Sequence, residues 1–277
     1  MTRATRRAVP LVVEHIGALH TMEHDARAIT AACVHTDDEG RIAYAGPAKD
    51  APPVVDGART ISARGAAVLP GFIDAHTHLL WAGDRDAEFA LRSRGASYQE
   101  IMAAGGGIRN TMRAVREADD DTLAQLLHGR LATMRARGVT TVEVKSGYGL
   151  SRAHELRSLE IVRRVHDEGP TDLVATCLAA HAIPPEHDGA RARYVDEIVS
   201  EIVPEVAARG LAQFCDVFVE QGAFTVDDGR RILTAAKDHG LGVRVHAEQL
   251  SRSGGARLAA ELGARAGTAA VESRARP

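Results

Sequence analysis

The chain has 277 residues, 45% of them hydrophobic, and a formal charge of -3 with both signs scattered along it. That is enough apolar material for a sizeable core, and nothing in it favours a nucleic-acid or membrane partner, since no apolar run reaches the ~18–20 residues of a bilayer-crossing helix. Three widely spaced cysteines, Cys33, Cys177 and Cys215, point to reduced thiols in a cytoplasmic protein, and the basic start followed by a short apolar run does not read as a signal peptide.

In chain order, β-leaning runs come first, at 11–13, 28–34 and 41–45. Turns at Asp38-Glu39-Gly40 and Gly46-Pro47 separate them, and Pro52-Pro53 marks a loop. These predict a small N-terminal β domain over residues 1–67. From Val68 the pattern becomes strand–helix alternation. Strands are expected at 67–74, 139–144, 173–178, 214–219 and 243–246, and helices at 122–136, 153–167, 194–208, 227–239 and 255–262. Ser151 and Thr225 sit where N-caps belong, and Gly138, Gly169, Gly210, Gly240 and Gly263 sit at helix ends. Repeated units of this kind predict an α/β fold with a parallel sheet over residues 68–264, either open or closed into a barrel.

Polar, reactive residues follow every expected strand: His76 and His78 the first, Lys145 to Tyr148 the second, His181 the third, Glu220 the fourth, and His246 to Gln249 the fifth. A (β/α)8 barrel builds its site from those ends, whereas an open doubly wound sheet gathers ligands at one switch point. The barrel is the better fit. Within Gly71-Phe72-Ile73-Asp74-Ala75-His76-Thr77-His78, positions i and i+2 of a strand share a face, so His76 and His78 can reach one metal ion. Two histidines alone are as often ordinary polar residues. With His246 and His181 at other strand ends, a metal site for Zn2+ or iron becomes the stronger reading.

The stretch from Leu69 to His78 resembles the first-strand motif of the amidohydrolase superfamily. Ala82-Gly83-Asp84-Arg85, Ala104-Gly105-Gly106-Gly107-Ile108, Glu143-Val144-Lys145-Ser146-Gly147-Tyr148-Gly149-Leu150 and His246-Ala247-Glu248-Gln249-Leu250 are similar to the imidazolonepropionase family, and the likeness runs from about Leu11 to Ala264. It implies hydrolysis of 4-imidazolone-5-propanoate, a small-molecule substrate, to N-formimidoyl-L-glutamate in histidine breakdown. It also implies metal binding by His76, His78 and His246, substrate contacts from Arg85, Tyr148, His181 and Gln249, catalytic roles for His181 and Gln249, and a tendency to form homodimers. Taken alone, Arg85 beside Asp84 and Asp86 reads as a solvated surface arginine, and Tyr148 as a packing tyrosine. Glu248 is an alternative to Gln249 as the inward residue, and Gly105 to Gly107 read as a flexible loop or a plain connector.

The chain also departs from the pattern. A full barrel has eight strands and typically ~250 residues, but only five strand–helix units are readable, and 265–277 shows no clear strand and no family match. The family's strand-end aspartate and its sixth-strand histidine have no counterpart. The expectation is therefore an incomplete barrel from a truncated gene with an out-of-frame tail. This is favoured over a shortened protein completed by a partner chain, because an open half-barrel would expose strand edges and apolar surface. A metal-binding fragment without turnover and another amidohydrolase of nucleobase-deaminase type remain alternatives.

Overall fold

The computed structural model describes residues 8–23, 27–95 and 106–264, and the backbone of 266–269. It contains two compact units, Met1–Phe72 and Ile73–Pro277. The expected loop residues Ala104 and Gly105, and most of the stretch 265–277, lie outside the described residues.

The first unit is a sheet of β1 (Leu11–Leu19), β2 (Ile29–Thr36), β3 (Ile42–Pro47), β4 (Arg59–Ser62) and β5 (Ala67–Val68). Its order is β3-β2-β1-β4, with β5 also on β1. The first three strands pair antiparallel, while β4 and β5 run parallel to β1. A bulge in β1 between Val13 and Ile16 resets the side-chain alternation, and Ile16 and Leu19 then pack on Ala32 as the small core. Gly17 is required where it stands, because a Cβ there would lie 2.1 Å from the Gly65 carbonyl oxygen. The sequence reading lacked β4, whose Arg59, Thr60, Ile61 and Ser62 are all exposed and show no apolar alternation.

The second unit carries a six-stranded sheet of β6 (Phe72–Thr77), β7 (Val139–Lys145), β8 (Asp172–Ala180), β9 (Phe214–Val219), β10 (Gly242–Ala247) and β11 (Ala266–Ala269). The strands lie in strictly sequential order, and the ladders from β7 to β11 are parallel. This curled, sequentially ordered sheet is a half-barrel. Helices Asp120–Arg135, Arg152–Glu168, Val226–Asp238 and Gly255–Leu262 follow the strands and bury Leu127, Leu159, Leu233 and Leu258 against Val144, Cys177, Val217 and Val245. Strands covered in this way read as apolar runs rather than as alternation. No described helix is long and apolar enough to cross a membrane.

Several elements differ from expectation. The helix expected over 194–208 is three pieces: Arg191–Glu197, a π-turn at Ile198–Ile202, and Val203–Ala208. Pro204 has no N–H to give the carbonyl four residues back, and the Val203 N–H reaches to the Ile198 oxygen instead. Thr225 caps its helix through a reciprocal box with Asp228, but the Ser151 hydroxyl makes no cap bond and faces His154 Nδ1 at 2.8 Å. Helices Asp86–Ser93 and Ile108–Glu117 were not read from the sequence, and β11 forms where no strand was expected.

Candidate metal centre and substrate pocket

His76 lies in β6, His78 directly follows it, and His246 lies in β10. The backbone brings one ligand nitrogen from each ring to within 4.8 Å of the others. His78 Nε2 and His246 Nε2 are 3.1 Å apart, close to the ~3.3 Å separating two ligands at ~2.0–2.1 Å from a tetrahedral zinc. No partner meets His78 Nδ1 among the described residues. Burial first, then the neighbouring His181 and His246, lowers His78 to about 2, and burial is also the main cause lowering His76. Both rings are therefore neutral near pH 7, as metal ligands must be. The donor set fits a borderline-soft divalent ion.

A buried charge network holds these rings. Thr77, between the two β6 histidines, donates its backbone N–H to Glu143 Oε2 at 3.2 Å and its hydroxyl to the Glu143 carbonyl at 2.6 Å. The wholly buried Lys145 ammonium donates to Glu143 Oε1 at 2.6 Å and Asp216 Oδ2 at 2.8 Å. Asp216 Oδ1 accepts the His246 backbone N–H at 3.1 Å. Its Oδ2 lies 2.9 Å from His246 Nδ1, close but off the line of a straight hydrogen bond. That approach puts the imidazole proton on Nδ1 and the lone pair on Nε2, facing the cluster. Burial alone would raise Asp216, but the His246 contact and the Lys145 charge hold its carboxyl well below the usual range.

His181 owes its position to a bulge. Between Cys177 and Ala180 the register of β8 against β9 slips, and the Leu178 N–H turns to the Ser146 hydroxyl at 2.9 Å. The His181 ring then sits 4.8 Å from His78 and 5.3 Å from Tyr148, centroid to centroid, with Nδ1 2.9 Å from the Gly147 carbonyl. A carbonyl only accepts, so Nδ1 carries the proton and Nε2 keeps its lone pair. Burial lowers His181 to about 4, against the pull of the Gly147 carbonyl, so the ring is neutral. Donation from Nε2 to a substrate carbonyl would thus need a second proton.

The turn carrying Tyr148 is tied by the buried Glu155 carboxylate, which accepts from the backbone of Gly147 at 3.0 Å, Gly149 at 2.9 Å and Leu150 at 2.8 Å. Gly147 has φ +100, and a Cβ there would come 2.9 Å from the Leu178 oxygen. Burial pushes the Tyr148 phenol up, so it stays a donor.

A cavity of about 260 Å3 runs from His78 past Trp81 and Tyr148 to Arg85 and Thr111. The lining residue Trp81 is held by Arg130, which donates to the Leu79 carbonyl at 2.9 Å and the Trp81 carbonyl at 2.7 Å while stacking 3.7 Å over the Trp81 ring. Arg85 is exposed at the cavity, as its sequence neighbours suggested, but it is not untethered: its Nε and Nη2 donate to Thr111 Oγ1 at 3.1 and 2.9 Å. Gln249 is not drawn into this group. It is exposed on the loop after β10, a loop held by Glu220, which accepts from Leu250 N at 2.8 Å, Ser251 N at 3.2 Å and the Ser251 hydroxyl. Glu248, half-buried, takes a left-handed φ of 56 in the same loop.

Sequential parallel strands with histidines gathered at their C-terminal ends are the arrangement of an amidohydrolase-type fold. No protein-family model matches the chain. It is 52% identical over 228 residues to the imidazolonepropionase of Myxococcus xanthus, covering 82% of this chain and 54% of that protein. To the imidazolonepropionase of Symbiobacterium thermophilum it is 49% identical over 271 residues, covering 93% and 64%. The fold matches an adenosine deaminase from Xanthomonas campestris with bound zinc at a TM-score of 0.56 and 18% identity, over 94% of this chain and 54% of that one. The chain belongs to the imidazolonepropionase family. It spans between about half and two thirds of the length of the two curated relatives.

Proposed function

We propose that the chain binds and hydrolyses 4-imidazolone-5-propanoate to N-formimidoyl-L-glutamate, with His76, His78 and His246 holding one Zn2+ or Fe. The observation that carries this reading is the cavity joining His78 to Arg85, which has a ring-sized space between a histidine cluster and a fixed guanidinium. A bound ion of this kind supplies polarisation of a carbonyl and a water whose pKa falls to about 7.

The chain's own residues do the rest. Arg85 pairs with the propanoate carboxylate, anchoring the substrate by its tail. Tyr148, a protonated phenol on the cavity wall, donates to the ring edge. His181 Nε2, with its lone pair free, accepts a ring N–H and fixes which face the carbonyl presents. In the net reaction the water oxygen joins the carbonyl carbon, the C–N bond of the cyclic amide breaks, and a water proton passes to the departing nitrogen. Gln249 enters this scheme only if its loop carries it inward. The free, buried state of Cys33, Cys177 and Cys215 supports a cytoplasmic setting.

The test is incubation of the metal-loaded chain with 4-imidazolone-5-propanoate, following loss of the imidazolone absorbance and appearance of N-formimidoyl-L-glutamate. Turnover that His76→Ala lowers at least ~100-fold supports the reading. Stoichiometric metal without turnover would assign catalysis to segments that the longer relatives carry beyond the matched span.

A further inference from the structure

We propose that Thr111 is a positioning residue that makes Arg85 a receptor for carboxylates, a step that rests on the reading of the cavity given above. A guanidinium is planar and presents five N–H groups in a fixed fork. Thr111 Oγ1 takes one hydrogen from Nε and one from Nη2, so it occupies that whole edge of the fork. The edge formed by Nη1 and the second hydrogen of Nη2 is left for a ligand, and it suits the two oxygens of a carboxylate. No other hydrogen bond or ion pair holds the guanidinium among the described residues. Asp84, the acid next to it in sequence, turns its Oδ1 to the Asp86 backbone N–H at 3.2 Å.

Thr111 can do this because it is itself fixed. It is buried on the helix Ile108–Glu117, flanked by buried Met112 and Val115. It also lines the same cavity as Tyr148 and His78. Without the hydroxyl, the long arginine side chain would regain its rotamers and meet an anion as a mobile point charge rather than as an aligned fork.

The experiment is calorimetric titration of the zinc-loaded chain with two probes, 3-(imidazol-4-yl)propanoate and 4-propylimidazole, which differ in the carboxylate. The unsubstituted protein is expected to favour the carboxylate probe at least tenfold. Thr111→Val should reduce that preference by about tenfold while leaving the affinity for 4-propylimidazole unchanged, which also reports an intact fold. Thr111→Ser should restore it, and Thr111→Ala, removing the same oxygen with a smaller side chain, should match the valine variant. Arg85→Met should abolish the preference. Loss of preference in Arg85→Met with full preference in Thr111→Val and Thr111→Ala would overturn the role of Thr111 alone. Equal binding of both probes by the unsubstituted protein, or an unchanged preference in Arg85→Met, would overturn the cavity reading and this proposal together.

Discussion

Asp216, buried in β9, divides its two oxygens among the His246 backbone, the His246 imidazole and the Lys145 ammonium. An asparagine could keep one carbonyl contact but would offer no charge to either neighbour, and its NH2 group would face the lysine or the imidazole proton. Carboxylates behind ligating histidines raise ligand basicity and fix ring orientation, so Asp216→Asn should weaken zinc binding by about 10–100-fold, read by competition with a chelator of known affinity. An unchanged affinity would leave the carboxylate with no part in the metal site. Among single residues, His76 and His78 were legible because an i, i+2 pair in a strand needs no tertiary knowledge. Tyr148 and His181 were legible by place, at strand ends, but their proposed roles came only from family likeness, as did any reading of Arg85 beyond a surface arginine. Asp216 and Thr111 were missed for a physical reason: each acts by touching a residue from another element, 30 positions away for His246 and 26 for Arg85. A charged residue inside the apolar run Phe214–Val219 was the one available clue to Asp216.

Elements were legible where local chemistry decides them. Thr225 reads as an N-cap and is one: its hydroxyl accepts from the Asp228 N–H at 3.1 Å, and Asp228 answers to the Thr225 N–H at 2.9 Å. Thr225→Ala should therefore destabilise the protein by about 1 kcal/mol, seen as a lower urea midpoint. Ser151→Ala, at the same position of its own helix, should stay within about 0.5 kcal/mol, because the Ser151 hydroxyl caps nothing. Equal losses in the two variants would contradict the difference between the two helix starts. Elements decided by their neighbours were not legible. β11 is Ala-Gly-Thr-Ala, poor in strand-forming residues, and it exists because β10 offers its edge from Arg244 to Ala247. The break at Ile198–Ile202 has its cause in Pro204, visible in the sequence but lying inside an otherwise continuous apolar pattern.

For the molecule as a whole, reactive residues after every expected strand favoured a barrel over an open doubly wound sheet, and the sequential strand order found is the one a barrel uses. The same gathering of strand ends has an electrostatic consequence. Three rings from β6, its following residue and the end of β8 are crowded and partly dehydrated, so His76 is lowered, His78 falls to about 2 and His181 to about 4. In the unfolded chain these imidazoles titrate near ~6.5. Above that pH neither state binds protons there, and their neutral packing contributes its full share. As the pH drops below ~6.5 the unfolded chain takes up protons that the folded one refuses, so stability falls with acidification, down to about 4 for His181 and about 2 for His78. Asp216, also depressed, acts in the same direction at lower pH, because its unfolded carboxyl protonates first. The metal-free protein should therefore melt at least ~2 °C lower at pH 5.0 than at pH 7.5, and zinc at pH 7.5 should raise the melting temperature by binding the folded state alone. Scanning calorimetry with and without a chelator measures both. A melting temperature that stays flat from pH 7.5 to 5.0 in the metal-free protein would mean that the rings are not held neutral by the fold, and the histidines would then lack the readiness for metal on which the site depends.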